Sequence, residues 1–192
     1  KLLSSIKSII KKYFNEQIEI LIVDNGSTDR SKEIITKNSL FLENKISLIK
    51  IDKNIGYGNG IYRGILSSKG EFIAWCHADL QTDPHDVIEI FLKSKEKLLS
   101  EKCVIKGKRI KRGFFDEIFT FGMSIITLIF FKFFLNDINA QPKIFHKAFI
   151  NKLKNAPKDF SFDLYFLLMA KKENLSIHEF PIIWNKRYAG EA

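Results

Sequence analysis

The stretch that most constrains the fold lies at residues 71–84, where a short apolar run ends abruptly in polar side chains. Residues 72–76 predict a buried strand, and the next eight residues read His-Ala-Asp-Leu-Gln-Thr-Asp-Pro. A buried strand that ends in metal-binding side chains and a proline is typical of the carboxyl edge of a sheet in α/β enzymes. We therefore predict an α/β fold whose active site lies at this strand end.

Strands and helices alternate along the rest of the chain. Apolar residues at spacings of three and four predict an amphipathic helix at residues 1–13, and a β-branched apolar run predicts a strand at residues 19–23. Asp83 and Pro84 predict the N-cap and first residue of a long helix. The other predicted elements are strands at 46–51 and 103–106, helices at 31–38, 61–67, 114–135 and 162–173, a strand-like segment at 137–145, and a final strand pair through 177–184. This alternation favours a single domain, residues 1–192, with a mostly parallel sheet and crossover helices.

The charge balance favours anionic partners. The chain has 31 Lys and Arg residues against 22 Asp and Glu, a formal net charge of +9, which suits phosphorylated substrates, lipid headgroups or nucleic acid. Most of the cations are lysines, and a lysine-rich surface is also a common solubility feature. Arginines are rarer here and suit bidentate phosphate contacts. A nucleic-acid partner would rest on net charge alone, so we expect none.

The two cysteines indicate a reducing compartment. Cys76 and Cys103 each lie in an apolar, strand-like run, and they have no paired spacing. We therefore expect neither a disulfide framework nor a zinc site, which fits a cytosolic setting.

One segment is a candidate for membrane contact. Residues 118–135 are rich in Phe and Ile, but Lys132 interrupts them and their length is near the lower limit of the ~20 residues that a span needs. The predicted helix at 114–135 follows the densest basic cluster of the chain, residues 107–113. An apolar helix beside a basic loop is typical of a segment lying on an anionic membrane surface. The alternative is a core helix preceded by a solvated charged loop, and we expect either of these rather than a crossing helix.

Two further predicted strands end in turn residues. Residues 24–29 read Asp-Asn-Gly-Ser-Thr-Asp, in which Gly26 allows a positive φ and the next three residues can cap a helix. Residues 54–60 contain three alternating glycines, which allow the backbone to approach a ligand closely. A strand, a polar turn and a helix in succession are typical of nucleotide-binding folds. No Walker loop is predicted, because no Gly-Lys-Ser or Gly-Lys-Thr follows.

The strand end at 77–81 predicts a metal site. On an extended strand His77, Asp79 and Gln81 would share one face. Carboxylate and amide oxygens suit Mg²⁺ or Mn²⁺, and a histidine moves the preference towards Mn²⁺ and softer metals. The alternative is a plain strand end at which Asp79 caps the following turn.

Together, residues 20–29, 54–60 and 77–84 resemble glycosyltransferase family 2, nucleotide-sugar-dependent enzymes of the GT-A fold. Within the family the chain is most similar to the branch of dolichyl-phosphate mannose synthases and bacterial polyprenyl-phosphate glycosyltransferases, whose metal motif reads Asp-Ala-Asp-Leu-Gln. The resemblance covers nearly the whole chain, and the ordered set of motifs is far more specific than any one of them. It implies a Rossmann-like GT-A domain and an inverting sugar transfer that uses Mg²⁺ or Mn²⁺.

The resemblance also implies roles for individual residues. Asp79 and Gln81 would ligate the metal on the donor diphosphate, and His77, the third predicted ligand, stands where the family usually has its first Asp. Asp24 would contact the nucleotide base, with Asn25 in place of a second Asp. The residues predicted to bind the nucleotide are Asp24, Asn25, Gly26, Ser27, Asn54, Gly56 and Gly58. Those predicted at the acceptor phosphate are Arg109, Arg112 and Ser124, together with Arg187 in a late Arg-x-x-Gly segment near the donor.

The identity of the acceptor decides whether a catalytic base is required. A polyprenyl phosphate is already an anion and needs no strong base, whereas a sugar hydroxyl needs a carboxylate to take its proton. Asp137 is the first candidate for that base and Asp163 the second, so the predicted catalytic residues are Asp79 and Asp137. We expect the protein at the cytoplasmic face of a membrane.

Two departures from the family motivate an alternative. His77 replaces a metal-ligating Asp, and the family's first strand, which carries a nucleotide contact, is absent before residue 1. Since residue 192 also falls inside the late motif, we expect a fragment truncated at both ends whose sheet has an unpaired strand edge. The alternative function is a catalytically impaired module that binds nucleotide or membrane as a scaffold.

Overall fold

The architecture comes from a computed structural model, which describes residues 1–185. The helices are α1 (Leu2–Lys12), α2 (Ser31–Thr36), α3 (Ser39–Leu42), α4 (Tyr57–Ser67), α5 (Pro84–Ser100), α6 (Phe114–Phe131) and α7 (Phe162–Lys172), with a 3₁₀ helix at Lys147–Lys152. The strands are β1 (Leu21–Asn25), β2 (Ser47–Ile51), β3 (Phe72–Trp75), β4 (Cys103–Ile110), β5 (Lys143–His146) and β6 (Ser176–Ile183).

The strands form two sheets. β1 and β2 pair in parallel, and a second sheet has the order β3-β5-β4-β6. In the second sheet β5 runs antiparallel to both of its neighbours, whereas β4 and β6 are parallel. The predicted α/β class is confirmed, but the pairing is more mixed than predicted, because β5 enters between β3 and β4 from the opposite end.

β1 and β3 each have one free edge within residues 1–185. β1 pairs only with β2, and β3 pairs only with β5. The predicted absence of a first strand would leave such an edge unpaired, and that absence stays a prediction.

The four-stranded sheet separates two hydrophobic clusters. Alternate residues of a strand point to opposite faces. On one face Val104 and Phe145 pack with side chains of α4 and α7. On the other face Ile105 and Ile144 pack with side chains of α5. A third cluster, around Ile6, joins α1 to the sheet of β1 and β2. The sheet of β3 to β6 is therefore covered by helices on both faces.

Several predicted boundaries agree with the structure. α5 begins at Pro84, and the Asp83 side chain accepts a hydrogen bond from the backbone N–H of His85 as its N-cap. The predicted helices at 1–13 and 162–173 correspond closely to α1 and α7. These elements are specified by local signals, namely an N-cap, a proline and apolar spacing.

Other boundaries were wrong. β4 extends to Ile110, because β6 pairs with it along all eight of its residues, so the basic cluster is largely part of a strand rather than a loop. The predicted strand pair at 177–184 is this single strand β6. The predicted helix at 31–38 ends earlier, at Thr36, and a short helix that was not predicted, α3, follows it with the Asn38 side chain as its N-cap. The strand-like segment at 137–145 becomes a strand only at β5.

Candidate active site

The turn that follows β1 is closed by Asp24. This buried carboxylate accepts a hydrogen bond from the backbone N–H of Ser27 at 2.9 Å. Gly26 has a φ of +79°, and a Cβ at this position would lie 2.5 Å from the backbone nitrogen of Asn54. Glycine is therefore required here for its backbone conformation and for the close packing of the two turns.

The side chain of Asn25 joins this turn to the segment that precedes α4. Its amide nitrogen donates to Oδ1 of Asn54 at 3.2 Å and to the carbonyl oxygen of Gly56 at 3.1 Å. Oδ1 of Asn54 also accepts from the backbone N–H of Gly56 at 2.9 Å. Both partners of Asn25 are acceptors, so a carboxylate could not make these bonds, which gives a physical reason for Asn at this position. The structure thus brings the predicted nucleotide-binding residues of both turns together.

Backbone atoms of the loop at 157–161 lie close to Gly56 and Gly58. A Cβ on Gly56 would lie 2.2 Å from the carbonyl oxygen of Lys158, and one on Gly58 would lie 2.4 Å from that of Pro157. The backbone N–H of Gly58 donates to the carbonyl oxygen of Asp159 at 3.2 Å. The close approach that these glycines allow is therefore to the loop at 157–161, whereas the sequence led us to expect a ligand. Their role in nucleotide binding stays a prediction.

The predicted metal ligands lie on a turn rather than on a strand. β3 ends at Trp75, and Leu80 has a φ of +62°. The prediction that His77, Asp79 and Gln81 share the face of an extended strand is therefore wrong. Oδ1 of Asp79 accepts from the backbone N–H of Gln81 at 3.1 Å, as in the alternative in which Asp79 caps the turn. In residues 1–185 no group of three or more His, Cys, Asp or Glu side chains is arranged to hold a metal ion.

The surroundings of this turn are acidic. Burial raises the pKa of the Cys76 thiol to about 12, and the negative charges of Asp79, Asp83 and Asp86 contribute to the rise. Burial and the charge of Asp83 likewise raise the pKa of Asp86. Asp79 and Gln81 offer a carboxylate and an amide oxygen in this negative field. Such a donor set fits Mg²⁺ or Mn²⁺, which keep several waters and complete their shell with phosphate oxygens.

Asp137 forms the centre of an arginine cluster. The Arg109 side chain donates to Oδ1 of Asp137 through Nε at 2.9 Å and through Nη2, and the backbone N–H of Arg109 donates to Oδ2 at 2.7 Å. Nη1 of Arg112 lies 3.8 Å from Oδ1. The ring of Trp184 lies 5.0 Å from the guanidinium carbon of Arg109. Asp137 therefore holds Arg109 and Arg112 in place, two of the three arginines predicted at the acceptor phosphate.

The pKa of Asp137 argues against its predicted role as a base. Burial by itself would raise this pKa, but the hydrogen bonds and charge of Arg109 outweigh burial and lower it. A carboxylate with a lowered pKa and both oxygens engaged is a poor proton acceptor at neutral pH. The geometry instead favours a role for Asp137 in positioning Arg109 and Arg112.

A cleft of about 300 Å³ opens beside these arginines. Nη1 of Arg112 donates to the hydroxyl of Thr120 at 2.6 Å, and Nε of Arg112 is buried without a hydrogen-bond partner in the described residues. The residues that line the cleft are Lys108, Arg109, Arg112, Glu117, Thr120, Phe121, Asn136 and Asp137. Ser124 does not line it, because its buried hydroxyl donates to the carbonyl oxygen of Thr120 within α6. Thr120 and Asn136 were not predicted, since only the fold brings them to this place.

Helix α6 has its apolar side chains on the outside. Phe114, Phe115, Phe119 and Phe130 are 72–75% exposed, whereas the buried residues of the helix are Ser124 and Thr127. The core-helix alternative is therefore wrong. Within residues 1–185, α6 is the one helix long and apolar enough to cross a membrane, judged by length and composition alone.

A buried polar network connects α4, β5 and α7. Lys143 is fully buried, and its ammonium donates to Oδ1 of Asp163, while Tyr57 donates its hydroxyl to Oδ2 at 2.8 Å. Gln141 donates to the same hydroxyl at 2.5 Å. Burial lowers the pKa of Lys143, and the charge of Asp163 opposes this shift. Since both oxygens of Asp163 are engaged, this second candidate base is also part of the scaffold. The late Arg187 segment lies outside the described residues.

Lys106 is a second buried cation on the same face of the sheet. It is the ladder partner of Lys143, and its ammonium lies 3.2 Å from a carboxylate oxygen of Glu179 and donates to the carbonyl oxygen of Asp137 at 3.2 Å. The sequence did not indicate that either lysine is buried. Lys106 directly follows an apolar run and Lys143 directly precedes one, and each run predicts an ordinary strand. The signal that could have found them is the alternation of the strands, which places them with Val104 and Phe145 in the core.

Comparison with known proteins gives concordant matches. The family model described as Glycosyl transferase family 2 matches residues 1–153. A dolichyl-phosphate beta-glucosyltransferase of Dictyostelium discoideum is 26% identical over 191 residues, covering 92% of this chain and 58% of that protein. The protein of the same name from Saccharomyces cerevisiae is 26% identical over 208 residues, covering 93% of this chain and 60% of that protein. An undecaprenyl-phosphate 4-deoxy-4-formamido-L-arabinose transferase of Photorhabdus laumondii is 33% identical over 76 residues, covering 40% of this chain and 23% of that protein.

Solved structures share the fold. Glucosyl-3-phosphoglycerate synthase of Mycobacterium tuberculosis in complex with Mn²⁺, uridine diphosphate and phosphoglyceric acid has a TM-score of 0.68 at 14% identity, covering 97% of this chain and 67% of that one. The same enzyme with Mg²⁺ and uridine diphosphate has a TM-score of 0.65 at 12% identity, covering 97% and 68%. These matches confirm the predicted GT-A fold. The chain spans 58% of the length of the Dictyostelium relative and 60% of the yeast one.

Proposed function

The chain belongs to glycosyl transferase family 2, and we propose that it transfers a sugar from a nucleotide-sugar donor to a polyprenyl phosphate at a membrane surface. The transfer inverts the anomeric carbon, because the acceptor oxygen attacks as the nucleoside diphosphate departs. The relatives that are named as dolichyl-phosphate and undecaprenyl-phosphate transferases support this class of acceptor.

One observation carries the proposal, namely that the basic cleft and the exposed apolar face share helix α6. Thr120 and Phe121 of this helix line the same cleft as Arg109 and Arg112. The rest of the helix presents large apolar side chains outward. A polyprenyl phosphate has the matching chemistry, because an anionic head is joined directly to a long apolar chain.

On the acceptor side, the chain's own residues bind and orient the phosphate. Arg109 and Arg112 would bind it through charge-assisted hydrogen bonds, and Nε of Arg112 is a buried donor that has no protein partner in the described residues. Asp137 would keep both guanidinium groups in position. A phosphate oxygen attacks as an anion and needs no base, which agrees with the lowered pKa of Asp137.

On the donor side, the paired turns at 24–27 and 54–56 would bind the nucleotide, with Asn25 holding them together. Asp79 and Gln81 would hold the divalent cation, Mg²⁺ or Mn²⁺, on the diphosphate. When bound, this cation neutralises the charge that develops on the departing diphosphate.

Helix α6 would lie in the interface of the membrane on its cytoplasmic face. Lys108 and Lys111 lie just before its N-terminus, and an apolar helix flanked by cations binds anionic lipid surfaces. The large exposed Phe side chains would then leave water for the acyl region.

The test is transfer of labelled sugar from UDP- or GDP-linked donors to polyprenyl phosphate in vesicles, with the full-length protein. Asp79→Ala should abolish metal-dependent transfer. Arg112→Gln should lower the rate at limiting acceptor by about 10- to 100-fold, because a hydrogen bond to a charged group contributes about 1.5–3 kcal/mol. The control is Lys95→Gln, which removes an exposed charge on α5 to which no role is assigned. Undiminished transfer by the Asp79 variant would sink the role assigned to that residue.

A second candidate function is a scaffold that binds nucleotide or membrane without catalysis. It is favoured by His77, whose ring lies 5.5 Å from that of Tyr57 in an aromatic contact, at a position where the family resemblance implies an acidic metal ligand. Calorimetry with UDP in the presence and absence of Mn²⁺ separates the two, since nucleotide binding without metal dependence would favour the scaffold.

A further inference from the structure

Phe160 is unusual because its side chain is both exposed and held in place. It lies at the tip of the loop at 157–161 and is 78% exposed. Its ring nevertheless stacks on that of Tyr57, with a centroid distance of 5.0 Å and an interplanar angle of 15°. One face of the Phe160 ring is therefore covered by protein, and the other is presented to solvent.

The ring beneath Phe160 is rigidly anchored. The Tyr57 hydroxyl donates to buried Asp163 and accepts from buried Gln141. Asp163 is in turn fixed by the buried ammonium of Lys143. The orientation of Tyr57 is thus set by three buried polar side chains, and the stacked ring of Phe160 rests on this fixed base.

The loop itself is tied down at both sides of Phe160. The carbonyl oxygens of Lys158 and Asp159 accept hydrogen bonds from the first turn of α4 at 3.0 and 3.2 Å. The Asp159 side chain accepts from the backbone N–H of Ser161 at 2.9 Å and from its hydroxyl at 2.6 Å. An exposed aromatic ring that is immobilised in this way loses little conformational freedom when a ligand binds.

The position of Phe160 is next to both halves of the proposed donor site. Its loop packs on Gly56, whose carbonyl oxygen accepts from Asn25 in the nucleotide turn. Tyr57 also makes a ring contact with His77, in the turn proposed to hold the cation. Among the groups of a nucleotide sugar, the base and the pyranose are rings with a flat face that can stack on an aromatic side chain.

We propose that the exposed face of Phe160 is a stacking platform for a ring of the nucleotide-sugar donor, either its base or its sugar. This inference rests on the proposed function, since it requires a donor of that class. The loop at 157–161 then contributes to donor binding through a side chain that no predicted motif includes.

The experiment measures donor binding by calorimetry in Mn²⁺, using UDP, UDP-glucose, GDP and GDP-mannose with the full-length protein. Phe160→Ala should weaken the binding of the preferred donor by about 5- to 150-fold, the range expected when one stacked ring is removed. Phe160→Tyr keeps the ring and should bind as the wild type does. Phe14→Ala is the matched control, because Phe14 is equally exposed at 77%.

Binding of the free nucleoside diphosphates, UDP and GDP, distinguishes stacking of the base from stacking of the sugar. If the base stacks on Phe160, the alanine variant loses affinity for the nucleoside diphosphate as well as for the sugar-linked donor. If the sugar stacks, only the affinity for the sugar-linked donor falls. Wild-type affinity of Phe160→Ala for all four compounds would overturn the platform while leaving the proposed function intact. If the wild type binds none of them, both proposals fail.

Discussion

Replacing Asp137 with Asn isolates the charge that holds the arginine cluster. The carboxylate is 3% exposed, accepts three hydrogen bonds from Arg109 and lies 3.8 Å from Arg112. Breaking a buried ion pair by neutralising one partner costs about 3–5 kcal/mol, because the remaining charge is left buried and uncompensated. Since domains of this kind are stable by only about 5–15 kcal/mol, Asp137→Asn should remove a large fraction of the stability.

The assay is urea unfolding at pH 7, monitored by circular dichroism. The free energies of unfolding are compared using one common m-value, the slope against urea concentration. Asp116→Asn is the matched control, because Asp116 is mostly exposed and its Oδ1 makes only a long contact, at 4.0 Å, with Nη2 of Arg112. It should change the free energy of unfolding by no more than about 0.5 kcal/mol. The double variant Arg109→Gln, Asp137→Asn should lose about 1–3 kcal/mol less stability than the sum of the losses in the two single variants, and this difference is the coupling energy of the pair.

The pH dependence provides an independent check. The pKa of Asp137 is lowered in the folded protein, so its stabilising contribution is complete above the ordinary pKa of 3.8 and is lost as the pH falls through the lowered value. The difference between the wild type and Asp137→Asn should therefore be constant from about pH 5 to pH 9. The reasoning would be refuted if Asp137→Asn lowered the free energy of unfolding by less than about 1 kcal/mol. It would also be refuted if the loss disappeared as the pH falls from 8 to 6.

Three further substitutions test the neighbouring features. Asn25→Asp replaces a donor that faces two acceptor oxygens and should lower the free energy of unfolding by about 1–3 kcal/mol, with no change counting against the assigned contacts. Gly58→Ala places a methyl group 2.4 Å from the carbonyl oxygen of Pro157 and should cost about 1–3 kcal/mol. Gly122→Ala should not destabilise, because within residues 1–185 a Cβ there would meet no atom within 4 Å outside the neighbouring backbone of its own helix. Phe119→Ala should leave thermal stability unchanged but weaken sedimentation with anionic vesicles by about tenfold or more, since a buried Phe contributes about 1.5–3 kcal/mol; equal sedimentation would contradict the membrane assignment of α6.

The features that sequence predicted well are those with local causes. The start of α5 needs only Asp83 and Pro84, and the proximity of Asn25 to Asn54 follows from two neighbouring strands that end at one sheet edge. The family resemblance added the order of the motifs along the chain. None of these inferences required knowledge of contacts between distant segments.

The features that sequence missed depend on long-range pairing. Asp137 meets Arg109 across 28 residues, and nothing in either segment distinguishes an ion pair from two solvated charges. The antiparallel insertion of β5 buries Lys143 beside Lys106, its ladder partner. The turn at 77–81 was mistaken for an extended strand because alternating polar residues fit both conformations.

The inverted arrangement of α6 has a consequence for how its sequence can vary. Within residues 1–185 the outward side chains of this helix belong to no hydrophobic core that would select their shapes. Only their hydrophobicity is therefore constrained, and Phe, Ile, Leu and Met should replace one another there among related proteins. Ser124 and Thr127 face the opposite constraint, because they are fully buried and their hydroxyls bond to carbonyl oxygens of the helix itself. On this helix the small polar residues should be the slowly changing positions and the large apolar ones the rapidly changing positions, the reverse of what an alignment of an ordinary surface helix displays.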